Sequence, residues 1–72
     1  MRINNAKSIV EHLEGDGIEA ELRTDYSGRG MFGEQTGAVV ADDSSDIFIA
    51  MGELGIKDSK RTDSMGLGVV VY

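Results

Sequence analysis

The residues with the most chemical promise lie in one run, Tyr26-Ser27-Gly28-Arg29-Gly30-Met31-Phe32-Gly33. Glycines let backbone amides approach an anion closely, and the planar Arg29 guanidinium can fork two hydrogen bonds to a phosphate or carboxylate. Tyr26 and Phe32 could stack on a flat ring. Together these residue types would make a nucleotide-sized binding loop. No GKS or GKT follows and no helix start opens after the run, so it is neither a P-loop nor a dinucleotide fingerprint. The competing reading is a glycine-rich turn whose two aromatic rings fold back on the core.

Arg23 and Arg61 extend the candidate site because they occupy equivalent places in an internal repeat. Residues 17–30 read GIEAELRTDYSGRG and residues 55–68 read GIKDSKRTDSMGLG, and they align without a gap. The two copies share Gly, Ile, Arg, Thr, Asp, Gly and Gly, and Ile9 likewise aligns with Ile47. Related positions bring the arginines to either side of one groove between hairpin loops. The plainer alternative is local: Asp25 and Asp63 accept turn amides, and each arginine bonds a nearby carboxylate.

Other clusters offer less. Asp42, Asp43 and Asp46 do not have the spacing of a calcium loop, and capping the start of a helix accounts for them. His12, the single histidine, falls among polar positions and reads as an exposed helix residue. The chain has no Cys, so it has no thiol nucleophile, disulfide or cysteine zinc site. No general acid and base pair can be placed by spacing, so the expectation is no enzyme, no cofactor and no metal.

The elements that must position these residues follow from periodicity. Ala6, Ile9, Val10 and Leu13 recur at i, i+3, i+4 and i+7, which predicts an amphipathic helix capped by Asn4 or Asn5 and ended by Gly15 or Gly17. Ile18, Ala20 and Leu22 alternate with Glu19, Glu21 and Arg23, which predicts a half-buried strand. Residues 26–35 lose all periodicity, and a strand resumes over residues 37–41. Asp43, Ser44 or Ser45 starts a second helix carrying Ile47, Ala50, Met51 and Leu54, with Phe48 and Ile49 widening the apolar stripe and Gly55 ending it. A weak, polar strand over residues 56–61 and a final strand over residues 68–72 complete the chain.

The repeat, covering residues 6–30 and 44–68, makes this one α+β domain over residues 1–72. Two αββ units form a four-stranded, mainly antiparallel sheet with both helices on one face. Only the first hairpin is lengthened, by about six residues, and a loop longer than the usual two to five is a candidate for function. Strands 37–41 and 68–72 are apolar on both faces, while the helices cover one. Val39, Val70 and Tyr72, or the set of opposite parity, must meet something else. A homodimer, packed sheet to sheet or paired along a 69–72 edge, is the expected answer.

Size and charge narrow the setting. At 72 residues and 7.7 kDa the chain buries only about 60% of its unfolded surface. With 13 acidic against 7 basic side chains, net charge −6, it is a poor nonspecific binder of nucleic acid. The same charge is a common solubility device. No apolar run reaches membrane-helix length and no signal peptide opens the chain, so the expectation is a cytoplasmic protein.

The stretch RTDYSGRGMFGEQT, followed later by RTDSMGLGVVVY, resembles a set of small phage and prophage proteins. Those proteins carry a YSGRGM-type loop after the first strand and an MGLG-type final strand. The resemblance covers most of the chain and brings no catalytic or binding residue with it. What it implies is a setting in an infected or lysogenic host cell, where small acidic accessory proteins act by binding and some blunt host defence. The sequence thus predicts a viral, anti-defence protein that captures a small anionic ligand through Tyr26, Ser27, Gly28, Arg29, Gly30 and Phe32, with Arg23 and Arg61. The alternatives are an acidic nucleic-acid mimic that inhibits a host defence effector such as a CRISPR nuclease, and a self-associating structural phage protein.

Overall fold

A computed structural model describes residues 1–24, 36–59, 61–66 and 68–72. In chain order the elements are α1 (Ile3–Gly15), β1 (Ala20–Arg23), β2 (Ala38–Ala41), α2 (Ser44–Leu54), β3 (Thr62–Met65) and β4 (Gly68–Val71). The expected α+β architecture of two αββ units is what forms. The four strands lie in the order β1-β2-β4-β3, and every neighbouring pair is antiparallel.

Ala6, Ile9, Val10 and Leu13 form the buried stripe of α1, as their spacing requires. They meet Ile47, Ala50 and Met51 of α2 together with Val39, Ala41 and Val71 of the central strands in one core. Ile18, Ala20, Leu22, Ile56 and Val69 pack against its border. Both helices therefore cover the same face of the sheet. The β2–β4 register pairs Val39 with Val71 and Val40 with Val70. Because side chains alternate along a strand, Val39 points to the helices, whereas Ala38, Val40, Val70 and Tyr72 point away. The expected grouping of Val39 with Val70 and Tyr72 is corrected by this register. Nor is residues 69–72 an edge: β4 is central and β3 is the edge strand.

Three local expectations change under tertiary contacts. Neither Asn4 nor Asn5 caps α1: the cap is Arg2, extended at φ −64° and ψ 143°, with no side-chain cap bond. Arg2 is held there by an antiparallel bridge to Thr36, and the Gly37 amide donates to the Met1 carbonyl at 2.8 Å. This pairing sets the chain direction two residues before the first asparagine, and both asparagines become part of the helix. The strand expected over residues 56–61 falls later, at Thr62–Met65. The Ile56 amide is used at the end of α2, and Asp58 accepts the Arg2 amide at 2.8 Å, so this stretch closes two helices instead of joining a ladder. The strand at 37–41 begins at Ala38.

Both helices stop in the same way. The Ile18 amide donates to the Leu13 carbonyl at 2.9 Å and the Gly17 amide to that of Glu14 at 3.0 Å, while Gly17 takes φ 78°. Thirty-eight residues on, the Ile56 amide donates to the Met51 carbonyl at 2.9 Å and Gly55 takes φ 71°. These are Schellman caps, in which a left-handed glycine lets the chain turn back and an apolar residue after it packs on the helix. The repeated Gly-Ile pair is thus a repeated helix stop.

Candidate functional site

Of the expected binding residues, Tyr26, Ser27, Gly28, Arg29, Gly30 and Phe32 lie outside the described residues, as does Asp25. Arg23 and Arg61 are described, and the strand registers bring them into one row. Arg23 pairs with Ala38 across β1 and β2. Continuing the β2–β4 register by one residue sets Ala38 beside Tyr72. Arg61 and Tyr72 exchange two backbone bonds of 2.9 Å each. The row Arg23–Ala38–Tyr72–Arg61 therefore crosses the whole sheet on the face away from the helices. At about 4.8 Å per strand, its two arginines stand roughly 14 Å apart.

Tyr72 organises the β3 side of this row. The Arg61 guanidinium lies over its ring, 6.0 Å from the centroid, within reach of a cation–π attraction. Its hydroxyl donates to the Asp63 carboxylate at 2.6 Å, a charge-assisted hydrogen bond. Asp63, expected to accept turn amides, accepts this phenol. Arg61 is exposed, while Arg23 and Tyr72 are half-buried. Sequence reasoning gave Tyr72 no part in ligand binding. Its usable signal was parity: an aromatic residue at the end of a strand whose other face was already assigned to the core. The long hairpin segment leaves β1 after Thr24 and returns at Thr36, so both of its roots stand at this end of the sheet.

The opposite end of the same face is acidic. A groove of about 480 Å³ has Glu19, Glu21 and Asp42 on its rim and Val40 and Gly68 on its floor. Gly68 is required there, since a Cβ would come within 2.7 Å of the Ala41 carbonyl oxygen. Both arginines thus stand at one end of this face, with Asp63 bonded beside them, while Glu19 and Asp42 stand at the other end, about 13 Å away by strand rise.

The remaining candidates are structural. Asp43 caps α2, its side chain accepting the Ser45 amide at 2.9 Å, and Asp46 sits in the first helical turn where the dipole favours a carboxylate. His12 is not an exposed helix residue. It is half-buried in the seam between the helices, with Nε2 3.5 Å from Glu53 Oε1 and 3.8 Å from Asp16 Oδ2. Among the described residues no group of three His, Cys, Asp or Glu side chains is placed to hold a metal ion. No described helix is long and apolar enough to cross a membrane.

No protein-family model, no curated protein and no solved structure matches the chain. The reading of its function therefore rests on the geometry of its own residues.

Proposed function

We propose that the protein is a non-enzymatic, phage-type accessory protein that captures a small anionic, nucleotide-like ligand at the arginine end of its helix-free face. The observation that carries this reading is the row Arg23–Ala38–Tyr72–Arg61. Two arginines whose backbones stand roughly 14 Å apart on one row of the sheet bracket a space in which long side chains can converge on phosphate. Arginine suits phosphate because its planar fork makes two bonds at once and its charge persists at all physiological pH values. The Tyr72 ring lies between them as a flat, partly exposed platform. Thr24 and Thr36, which flank the 25–35 segment, stand at the same end, and this reading assigns Arg29, Tyr26 and Phe32 to the same ligand. In a host cell's cytoplasm, sequestering a signalling nucleotide would serve counter-defence without any catalytic step.

Calorimetric titration with mono- and dinucleotides, alongside inorganic phosphate, tests the proposal. Saturable binding of a nucleotide is expected, with affinity reduced roughly tenfold or more by Arg29→Ala or Arg61→Ala. Retention of full affinity by both variants would sink the assignment.

The acidic groove favours a second reading, in which Glu19, Glu21 and Asp42 present a phosphate-like array to a basic groove on a host effector. That mode predicts association weakening steeply with salt and tolerating Arg29 substitution. The first mode predicts strong dependence on Arg29.

A further inference from the structure

Among the described residues, the large apolar side chains that the fold leaves exposed are on α2, which packs on the sheet face opposite the arginine row. Ile47, Ala50 and Met51 already supply the inner face of this helix. Phe48 is nonetheless 47% exposed, Ile49 60% and Leu54 40%. Ser45, Phe48, Ile49 and Gly52 recur at i, i+3, i+4 and i+7, all exposed, so the helix has a second stripe directed outward. By contrast, Ala38 and Val70 on the sheet face away from the helices are fully buried within the single chain.

Gly52 adds an independent observation. A Cβ at this position would meet nothing within 4 Å, so internal packing does not ask for glycine there. Glycine inside a helix is unfavourable relative to alanine, yet here it leaves an open step one turn beyond the bulky Phe48 and Ile49. The charge carried by α2 itself and by the segment leading into it has one sign. Residues 31–56 contain no Lys or Arg, while Asp42, Asp43, Asp46 and Glu53 stand on α2 or just before it. A second copy of the chain would set these carboxylates against their own kind. A cationic partner would find them complementary.

We propose that the outer face of α2 docks an amphipathic helix of a partner protein whose apolar stripe is flanked by Lys or Arg. The apolar stripe seats on Phe48 and Ile49 and passes closely over Gly52, and the flanking cations meet Asp46 and Glu53. This is helix-in-groove recognition, with affinity from buried apolar area and orientation from charge. It does not depend on the anion site.

The probe is a synthetic amphipathic peptide with leucines at i, i+3, i+4 and i+7 and lysines beside them, titrated into the intact chain by fluorescence anisotropy. A permuted peptide of identical composition and a version with glutamate replacing lysine are the controls. Saturable binding to the lysine peptide alone is expected, weakened by salt and by roughly tenfold or more in Ile49→Asp. Gly52→Ala, which leaves the fold intact, should also weaken it several-fold by filling the open step. Melting curves on both variants establish that they remain folded. The proposal is overturned by failure of the lysine peptide to bind, by equal binding of the permuted peptide, or by unchanged affinity in folded Ile49→Asp. It is overturned equally if sedimentation shows a dimer that Ile49→Asp converts to monomer, since the occupant is then a second copy.

Discussion

The backbone amide of Arg2 donates to Oδ2 of Asp58 at 2.8 Å, so a residue beyond the second helix caps the first. This bond ties the start of α1 to the segment between α2 and β3 and places a carboxylate at the positive end of the helix dipole. The other oxygen, Oδ1, is buried with no partner among the described residues. Asp58→Ala should cost about 1–2 kcal/mol of stability, as loss of a helix cap does. Asp58→Asn keeps an acceptor and should cost less. Urea denaturation of both variants measures this; equal losses would show that charge, not the hydrogen bond, is what matters.

The two helix stops make a paired prediction. Gly17 and Gly55 take φ 78° and φ 71° with open space around a potential Cβ, so alanine at either is strained only in its backbone. Gly17→Ala and Gly55→Ala should each destabilise by about 1–2 kcal/mol, the cost of the left-handed conformation for an L side chain. Similar midpoints in thermal melts would confirm that the Gly-Ile repeat encodes two equivalent caps. A large inequality would argue against that equivalence.

Two other glycines should respond in opposite directions to the same substitution. At Gly37 a Cβ would meet Ala6 Cβ at 2.9 Å and Ile3 Cα at 3.1 Å, because the first turn of α1 rests directly on the residue before β2. Gly37→Ala is expected to cost about 1–3 kcal/mol by overpacking. Gly52→Ala, in open space on a helix, is expected to stabilise by about 0.5–1 kcal/mol. Denaturation midpoints that shift the same way for both would contradict the placement of one of them.

Tyr72→Phe separates the structural from the binding role of the arginine row. Losing the 2.6 Å bond removes a charge-assisted donor from a half-buried carboxylate, and should cost about 1–3 kcal/mol. Arg61→Ala removes an exposed side chain and should change stability by less than about 0.5 kcal/mol. If nucleotide capture is the function, the second variant loses affinity while the first keeps its stacking ring and most of its binding. The measurement is a thermal melt beside a calorimetric titration for each.

The sequence by itself determined the elements whose information is local. The 3.6-residue spacing of Ala6, Ile9, Val10 and Leu13, the Asp43-Ser44-Ser45 start signal and the glycines at 15 or 17 and at 55 specify two helices, the start of the second and where each stops, because each depends on neighbours within a turn. Alternation at Ile18, Ala20 and Leu22 specified the first strand in the same way. The repeat carried the αββ-αββ order. Only the tertiary structure decided what depends on residues far apart in the chain. It started α1 at Ile3, since a bridge from Arg2 to Thr36 outweighs the capping preference of Asn4 and Asn5. It moved the third strand to Thr62–Met65, since Ile56 and Asp58 are engaged at helix ends. Register, invisible to periodicity because a one-residue slip reverses every face, set Val39 inward, Val70 outward and Arg23, Tyr72 and Arg61 in one row.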